Sequence, residues 1–349
     1  MQVGIFVEER RRGTSEATAF AEALELSEAA EAWGLDGVWL GEIHFNPARS
    51  VQSAPMALAA FMAARTKRVR IGMAVIVLPL AHPLRIAEEV ATVDHLSEGR
   101  FDLGVGRSGG ARTYDRLGIP YGESTARFEE SLAIMREAWK GERFSYEGKF
   151  FTVQDTVVSP TPVQKPHPPL RMAANSPETF PWVGRAGLRL FVGLRDVDLP
   201  ELRVNLDAYR KAWREAGHPG DGDVCLRIPV YAAPTQQEAL DEPRENITYF
   251  FERHQELTRT RLGRNDTGPL DRHEARLEKL KAMDYDEILE KRVAFGSASS
   301  LVERLGGLKA GLGLDGFIVE LNPGGLLPMD RMLRTLRILT HEVLPKLRG

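Results

Sequence analysis

Glu42 and His44, two residues apart in WLGEIHF, set a carboxylate beside an imidazole, a pairing that can move protons near neutral pH. A second group of residues is suited to holding an anion. Arg107 follows the apolar run FDLGVG, and Arg127 falls in the first turn of an expected helix. The macrodipole opposes a cation there, and a specific anion would offset it. Asn175-Ser176-Pro177-Glu178-Thr179 reads as a helix start, with Ser176 at the N-cap, Pro177 at N1 and the Thr179 hydroxyl in the first turn. Free N–H groups at such a terminus favour a phosphate. Plain alternatives stand beside each reading: ordinary capping explains Ser176 and Thr179, and a lone histidine is more often structural than catalytic.

Other chemistries fit less well. Gly104-Val-Gly106-Arg-Ser-Gly109 has the form GxGxxG after a strand, but no helix of useful length is expected from Gly109 before Pro120, and no acid-ended strand follows at the dinucleotide spacing. The run reads instead as a turn, or as a strand-end loop that brings Arg107 and backbone N–H groups to an anionic ligand. The remaining histidines show no HExxH spacing, and His82 before Pro83 is positional, so no metal is expected. There is no GxSxG elbow.

These residues need elements to carry them, and the pattern alternates strand and helix throughout. Expected strands are Val3 to Val7, Asp36 to Leu40, Val69 to Leu78, Phe101 to Val105, Leu170 to Ala173, Leu188 to Val192, Val224 to Tyr231 and Gly316 to Leu321. Helices are expected between them, including Glu16 to Trp33, Ser53 to Arg65, one begun by Pro83 and closed by Gly99, Thr125 to Lys140, Pro177 to Arg185, Pro200 to Ala216, and the closing Met329 to Leu347. Eight such units favour a closed (β/α)8 barrel of the TIM type over an open sheet, as one domain spanning 1–349. Gly34-Leu35-Asp36-Gly37 and Gly313-Leu314-Asp315-Gly316 repeat one signal, a glycine C-cap before an apolar strand. In a barrel the strand ends carry the chemistry, which places Glu42, His44, Arg107 and Ser176 on one rim.

Two insertions break the rhythm. Residues 141–169 read as a hairpin across Glu147-Gly148 followed by a proline-rich return. Residues 239–292 are long and densely charged, either a solvated helical excursion or a lid over the barrel mouth. A net charge of −3 over 349 residues gives no reason to expect nucleic acid or an anionic membrane. No apolar run is long enough to span a bilayer, and the lone Cys225 excludes a disulfide within the chain. A reduced, cytoplasmic setting is the expectation.

The segments VWLGEIHF (38–45), IGMAVIVLPLAHPLRIAEEVATVDHLSEGRFDLGVGRS (71–108), AANSPET (173–179) and LDGFIVELNPGG (314–325) resemble the bacterial luciferase-like flavin-dependent monooxygenases, and the likeness runs along nearly the whole chain. The resemblance implies FMN at the C-terminal strand ends. It implies phosphate ligands at Arg107, Asn175, Ser176, Thr179 and Arg127, and a non-proline cis peptide between Ala74 and Val75 against the isoalloxazine. Where these luciferases carry Glu-His-His-Phe, with the first histidine catalytic, this chain has Glu42-Ile43-His44-Phe45, and their cysteine near the flavin is Gly106. Both departures argue against aldehyde bioluminescence and leave His44, with Glu42, as the candidate catalytic pair.

The reaction implied is two-component monooxygenation. Reduced FMN arrives from a separate NAD(P)H:flavin reductase, dioxygen adds at flavin C4a, and the hydroperoxide passes one oxygen to a small organic substrate. A deazaflavin-dependent dehydrogenase on the same barrel and a non-catalytic flavin-binding barrel are the alternatives. The resemblance also implies a homodimer, packed through helices after the second and third strands; the stripe Met56, Leu58, Phe61 and Met62 is compatible with that and equally with simple packing on the barrel.

Overall fold

A computed structural model describes residues 1–7, 11–107, 111–262, 274, 277–278 and 280–348. Ser108 and Gly109 of the glycine run, and the middle of the 239–292 excursion, lie outside the described residues. Eight parallel strands form the barrel: β1 Gln2–Val7, β2 Gly37–Leu40, β3 Arg70–Met73, β4 Phe101–Gly106, β5 Leu170–Ala173, β6 Arg189–Gly193, β7 Val224–Ala232 and β8 Gly316–Glu320. Each pairs with the next, β8 pairs with β1, and β6 pairs with β7, so the sheet closes on itself. The helices on its outside are α1 Glu16–Ala32, α2 Pro55–Arg65, α3 Pro83–Leu96, α4 Ser124–Ala138, α5 Thr179–Arg185, α6 Leu199–Glu215, α7 Ala298–Leu312 and α8 Met329–Ile338.

The strands are short, buried and rich in β-branched or aromatic residues, as a sheet covered on both faces requires. Large side chains fill the interior because glycines stand opposite them. A Cβ added at Gly72 would lie 2.3 Å from the Trp39 ring, and one at Gly104 would lie 2.7 Å from Phe191 and 2.0 Å from the Met73 carbonyl oxygen. Trp39 and Phe191 meet edge to face at 5.0 Å, and with Phe6, Cys225 and Ile318 they form the apolar layer beneath the mouth. Below it the buried Arg171 guanidinium pairs with Asp223.

The GLDG echo does more than end helices. Gly34 and Gly313 take φ of 88° and 60°. Asp36 Oδ2 then accepts from Val3 N at 2.7 Å, and Asp315 Oδ2 accepts from Val224 N at 2.8 Å. Each aspartate thus caps the start of the neighbouring strand.

Three expected elements differ in detail. The run read as one strand from Val69 to Leu78 is broken: β3 pairs with both β2 and β4, the Ala74–Val75 peptide is cis, and beyond it Ile76–Val77 pairs with β4 alone. The helix expected from Pro177 begins in regular form at Thr179, after a turn in which Thr179 N donates to Ser176 O at 2.9 Å. The closing helix passes through a π-turn at Leu339–Val343. The hairpin is present, as Phe144–Glu147 against Thr152–Thr156, and the Glu130 carboxylate accepts from the backbone N–H groups of Lys149, Phe150 and Phe151 at its tip.

After β7 the chain makes its long excursion, through helices at Arg244–Leu262 and Tyr285–Lys291, and returns by a short strand, Ala294–Gly296, beside β7. Ile247, Phe250, Phe251, Leu280, Ile288 and Val293 give it a small core of its own. Among the described residues no helix is long and apolar enough to cross a membrane.

Candidate active site

Glu42 and His44 follow β2 at the barrel rim. His44 Nε2 lies 2.7 Å from Glu42 Oε1, while Glu42 Oε2 accepts from Val77 N at 2.7 Å. One carboxylate therefore orients the imidazole and ties it to the segment beyond the cis peptide. The hydrogen bond to Glu42 raises the His44 pKa above its ordinary value, and the nearby negative charge adds to it, against the opposing effect of burial. Ile43 is held between them by its N–H to the Gln52 carbonyl oxygen, 3.0 Å, and offers no titratable group. Phe45 follows at φ 56°, with Arg116 bonded to its carbonyl oxygen at 3.0 Å and stacked on its ring.

A cavity opens on the same rim, enclosing about 760 Å³ of non-atom space including its mouth. Ala74, Val75, Ala173, Phe191 and Ile318 belong both to its lining and to the apolar interior layer, so that layer is its floor. Asn175 stands in its wall, and Phe250 and Phe251 reach it from the excursion. The excursion is thus an apolar cover over part of the mouth. Val75 packs against Gly106 so closely that a Cβ there would lie 2.6 Å from Val75 Cγ2. A planar, largely apolar ring system fits a bay of this size and lining.

The anion-binding candidates gather beside it. Val105 of β4 is level with Met172 of β5, and continuing that register sets Arg107 level with Ala174, next to Asn175. The Arg107 guanidinium bonds to the Thr125 hydroxyl at the start of α4, and its carbonyl oxygen accepts from Tyr114. Arg127 lies on the same turn. Its Nε donates to Glu123 at 2.8 Å and its guanidinium stacks on Phe150 at 4.4 Å, so the first-turn arginine that suggested an external anion already has an internal one. Phe128 of α4 meets Trp182 of α5 at 5.9 Å, which brings the two helix starts side by side. There Ser176 Oγ and Thr179 Oγ1 are 2.8 Å apart, bonded to each other. Burial pushes the Tyr114 phenol pKa up; the Glu42 charge adds to this and Arg107 opposes it, which links the two groups electrostatically.

The structure therefore brings Ala74, Val75 and Asn175 into one cavity wall, with Gly106 and Arg107 directly behind. Glu42 and His44 stand outside the residues that line the cavity. Sequence reasoning missed Arg227 and Glu320, paired at 2.8 Å in the cavity wall with Arg227 over the Phe6 ring, and Asp196, whose carboxylate meets His254 of the excursion at 2.5 Å. For Arg227 and Glu320 a signal was present, one charged residue in an otherwise apolar strand, as in VCLRIPVYA and GFIVE.

Residues 1–316 match the family model described as luciferase-like monooxygenase. The oxygenase component of flavin-dependent trigonelline monooxygenase from Acinetobacter baylyi is 25% identical over 337 residues, 93% of this chain and 89% of that protein. F420-dependent glucose-6-phosphate dehydrogenase from Kineococcus radiotolerans is 33% identical over 183 residues, 50% of this chain and 53% of that protein. Among solved structures, the oxygenating constituent of 3,6-diketocamphane monooxygenase from Pseudomonas putida, in complex with FMN, superposes with a TM-score of 0.83 at 23% identity, covering 99% of this chain and 98% of that one. That likeness is one of fold.

Proposed function

This chain belongs to the luciferase-like monooxygenase family, and we propose that within it the chain is the oxygenase of a two-component system, using reduced FMN from a separate flavin reductase to oxygenate a small organic substrate. The observation that carries the reading is the apolar bay floored by Ala74, Val75 and Phe191, with Asn175 in its wall and the Arg107–Thr125 contact close behind. A tricyclic ring and an anionic tail need that combination. The long match to an oxygenase component supports the two-component assignment.

When bound, reduced FMN supplies the electrons that let dioxygen react with the substrate. The chain's own residues do the rest. Arg107, Asn175, Ser176 and Thr179, with Arg127 behind them, would hold the phosphate; for the last of these, Glu123 must share its cation. Ala74, Val75 and Gly106 would contact the ring. Phe250 and Phe251 keep water from the bay. His44, oriented by Glu42, holds a proton at Nε2 in place of the position that Ile43 leaves inert.

Anaerobic titration with reduced FMN and with the reduced deazaflavin, followed by mixing with oxygenated buffer, tests this. FMN should bind at least about tenfold more tightly, a difference of roughly 1.4 kcal/mol, and reoxidation should be slower than for free flavin. Preference for the deazaflavin, which the dehydrogenase relative makes the second reading, would overturn it. So would reoxidation at the free-flavin rate with all the oxygen recovered as peroxide.

A further inference from the structure

A second, smaller chamber lies between β1, β8, α1 and α8. Phe6, Gln52, Ala23 and Met332 line it, and Glu320 lines both this chamber and the large cavity. The space open to the centre of a water molecule is about 40 Å³. One water needs roughly 10–15 Å³, so the chamber has room for about three waters.

Two acceptors on buried residues border it. Gln52 is 4% exposed, and its Nε2 donates to the Val7 carbonyl oxygen at 2.8 Å, which turns Oε1 the other way. That Oε1 is buried and has no hydrogen-bond partner among the described residues. Glu320, 7% exposed, accepts Arg227 Nη2 on Oε2, which leaves Oε1, an atom that is not fully buried, to the spaces the side chain lines. A buried oxygen such as Gln52 Oε1 is satisfied by water where there is room for it. The chamber's outer lining includes the Arg11–Glu22 pair, whose side chains are 33% and 13% exposed.

We propose that this chamber is a water-filled proton path, joining solvent at Arg11–Glu22 to Glu320 in the wall of the flavin bay. The proposal rests on the oxygenase reading of that bay. Overall, one substrate, one dioxygen, one anionic reduced flavin and one proton give oxygenated substrate, oxidised flavin and water, and the proton comes from solvent. Glu320 Oε1 receives it from the innermost water and passes it inward, returning to the carboxylate that Arg227 holds; no electrons move in this step.

Crystals that show ordered water, together with Ala23→Val, Gln52→Leu and Glu320→Gln, test the path. Ala23→Val fills the chamber without touching either acceptor. Waters should join Gln52 Oε1 to Glu320 Oε1 in the natural chain and be lost in Ala23→Val. Ala23→Val and Gln52→Leu should bind reduced FMN within about twofold of the natural chain, and all three variants should slow reoxidation on the order of tenfold with a larger solvent deuterium isotope effect. A dry chamber, or an unchanged rate and isotope effect in Ala23→Val and Glu320→Gln, overturns the path. If the natural chain itself fails to bind reduced FMN, the oxygenase reading falls, and this path with it.

Discussion

The proton held between Glu42 and His44 is the most directly testable property of single residues. Because the hydrogen bond to Glu42 raises the His44 pKa, the pair's contribution to folding is fully present below about pH 6.5 and is lost as pH rises through the higher folded value. Glu42→Gln should lower the His44 midpoint, since burial then acts alone; an NMR titration of the imidazole reads this, and an unmoved midpoint would show that the bond carries no weight. Arg107→Ala should weaken FMN binding by about ten- to a hundredfold, the loss of one charge-assisted bond of roughly 1.5–3 kcal/mol. Ser176→Ala should cost no more than about tenfold, as a neutral hydroxyl would. Fluorescence titration distinguishes the two. Arg107, Asn175 and Ser176 could be picked out of the sequence because each follows a strand within a recognisable motif. Arg227 and Glu320 each stand out as a charge in an apolar strand, but that Glu320 meets both Arg227 and the chamber of Gln52 does not, because it follows only when 268 residues of chain (52 to 320) have been wrapped into a closed sheet.

Among the elements, the eight strands were legible because a doubly buried strand leaves a short apolar run between turn residues. What hydropathy does not show is the loss of a partner. Val69 to Leu78 is apolar but for Arg70, yet its pairing with β2 stops at Met73, and beyond the Ala74–Val75 peptide only β4 is kept, which pairing geometry alone reveals. Glycines test the packing of these elements. Gly104→Ala should destabilise by roughly 1–3 kcal/mol or more, because its Cβ meets backbone that cannot swing aside. Gly307→Ala, in the middle of α7 with nothing within 4 Å, should instead stabilise by about 1 kcal/mol. Urea unfolding of both variants checks the opposite signs.

At the scale of the whole molecule, the excursion is held to the barrel by a buried cation. Arg292, 4% exposed, donates to the carbonyl oxygens of Leu194 and Val197 at 2.8 Å and pairs with Asp198, fixing the loop after β6. Arg292→Leu would remove both bonds to the carbonyl oxygens and the pair with Asp198 and should cost about 1–3 kcal/mol, with faster proteolysis around 244–291. Wild-type cleavage rates would show that the cover is held elsewhere. At the opposite end of the barrel, Asp36 accepts both the Val3 N–H and the Arg348 guanidinium. The first strand and the last helical turn are thereby fastened at one carboxylate, on the face remote from the rim. A tag, fusion partner or solid support attached through either end would consequently leave the flavin entrance facing bulk solution, and an immobilised preparation should admit its cofactor as freely as the dissolved one.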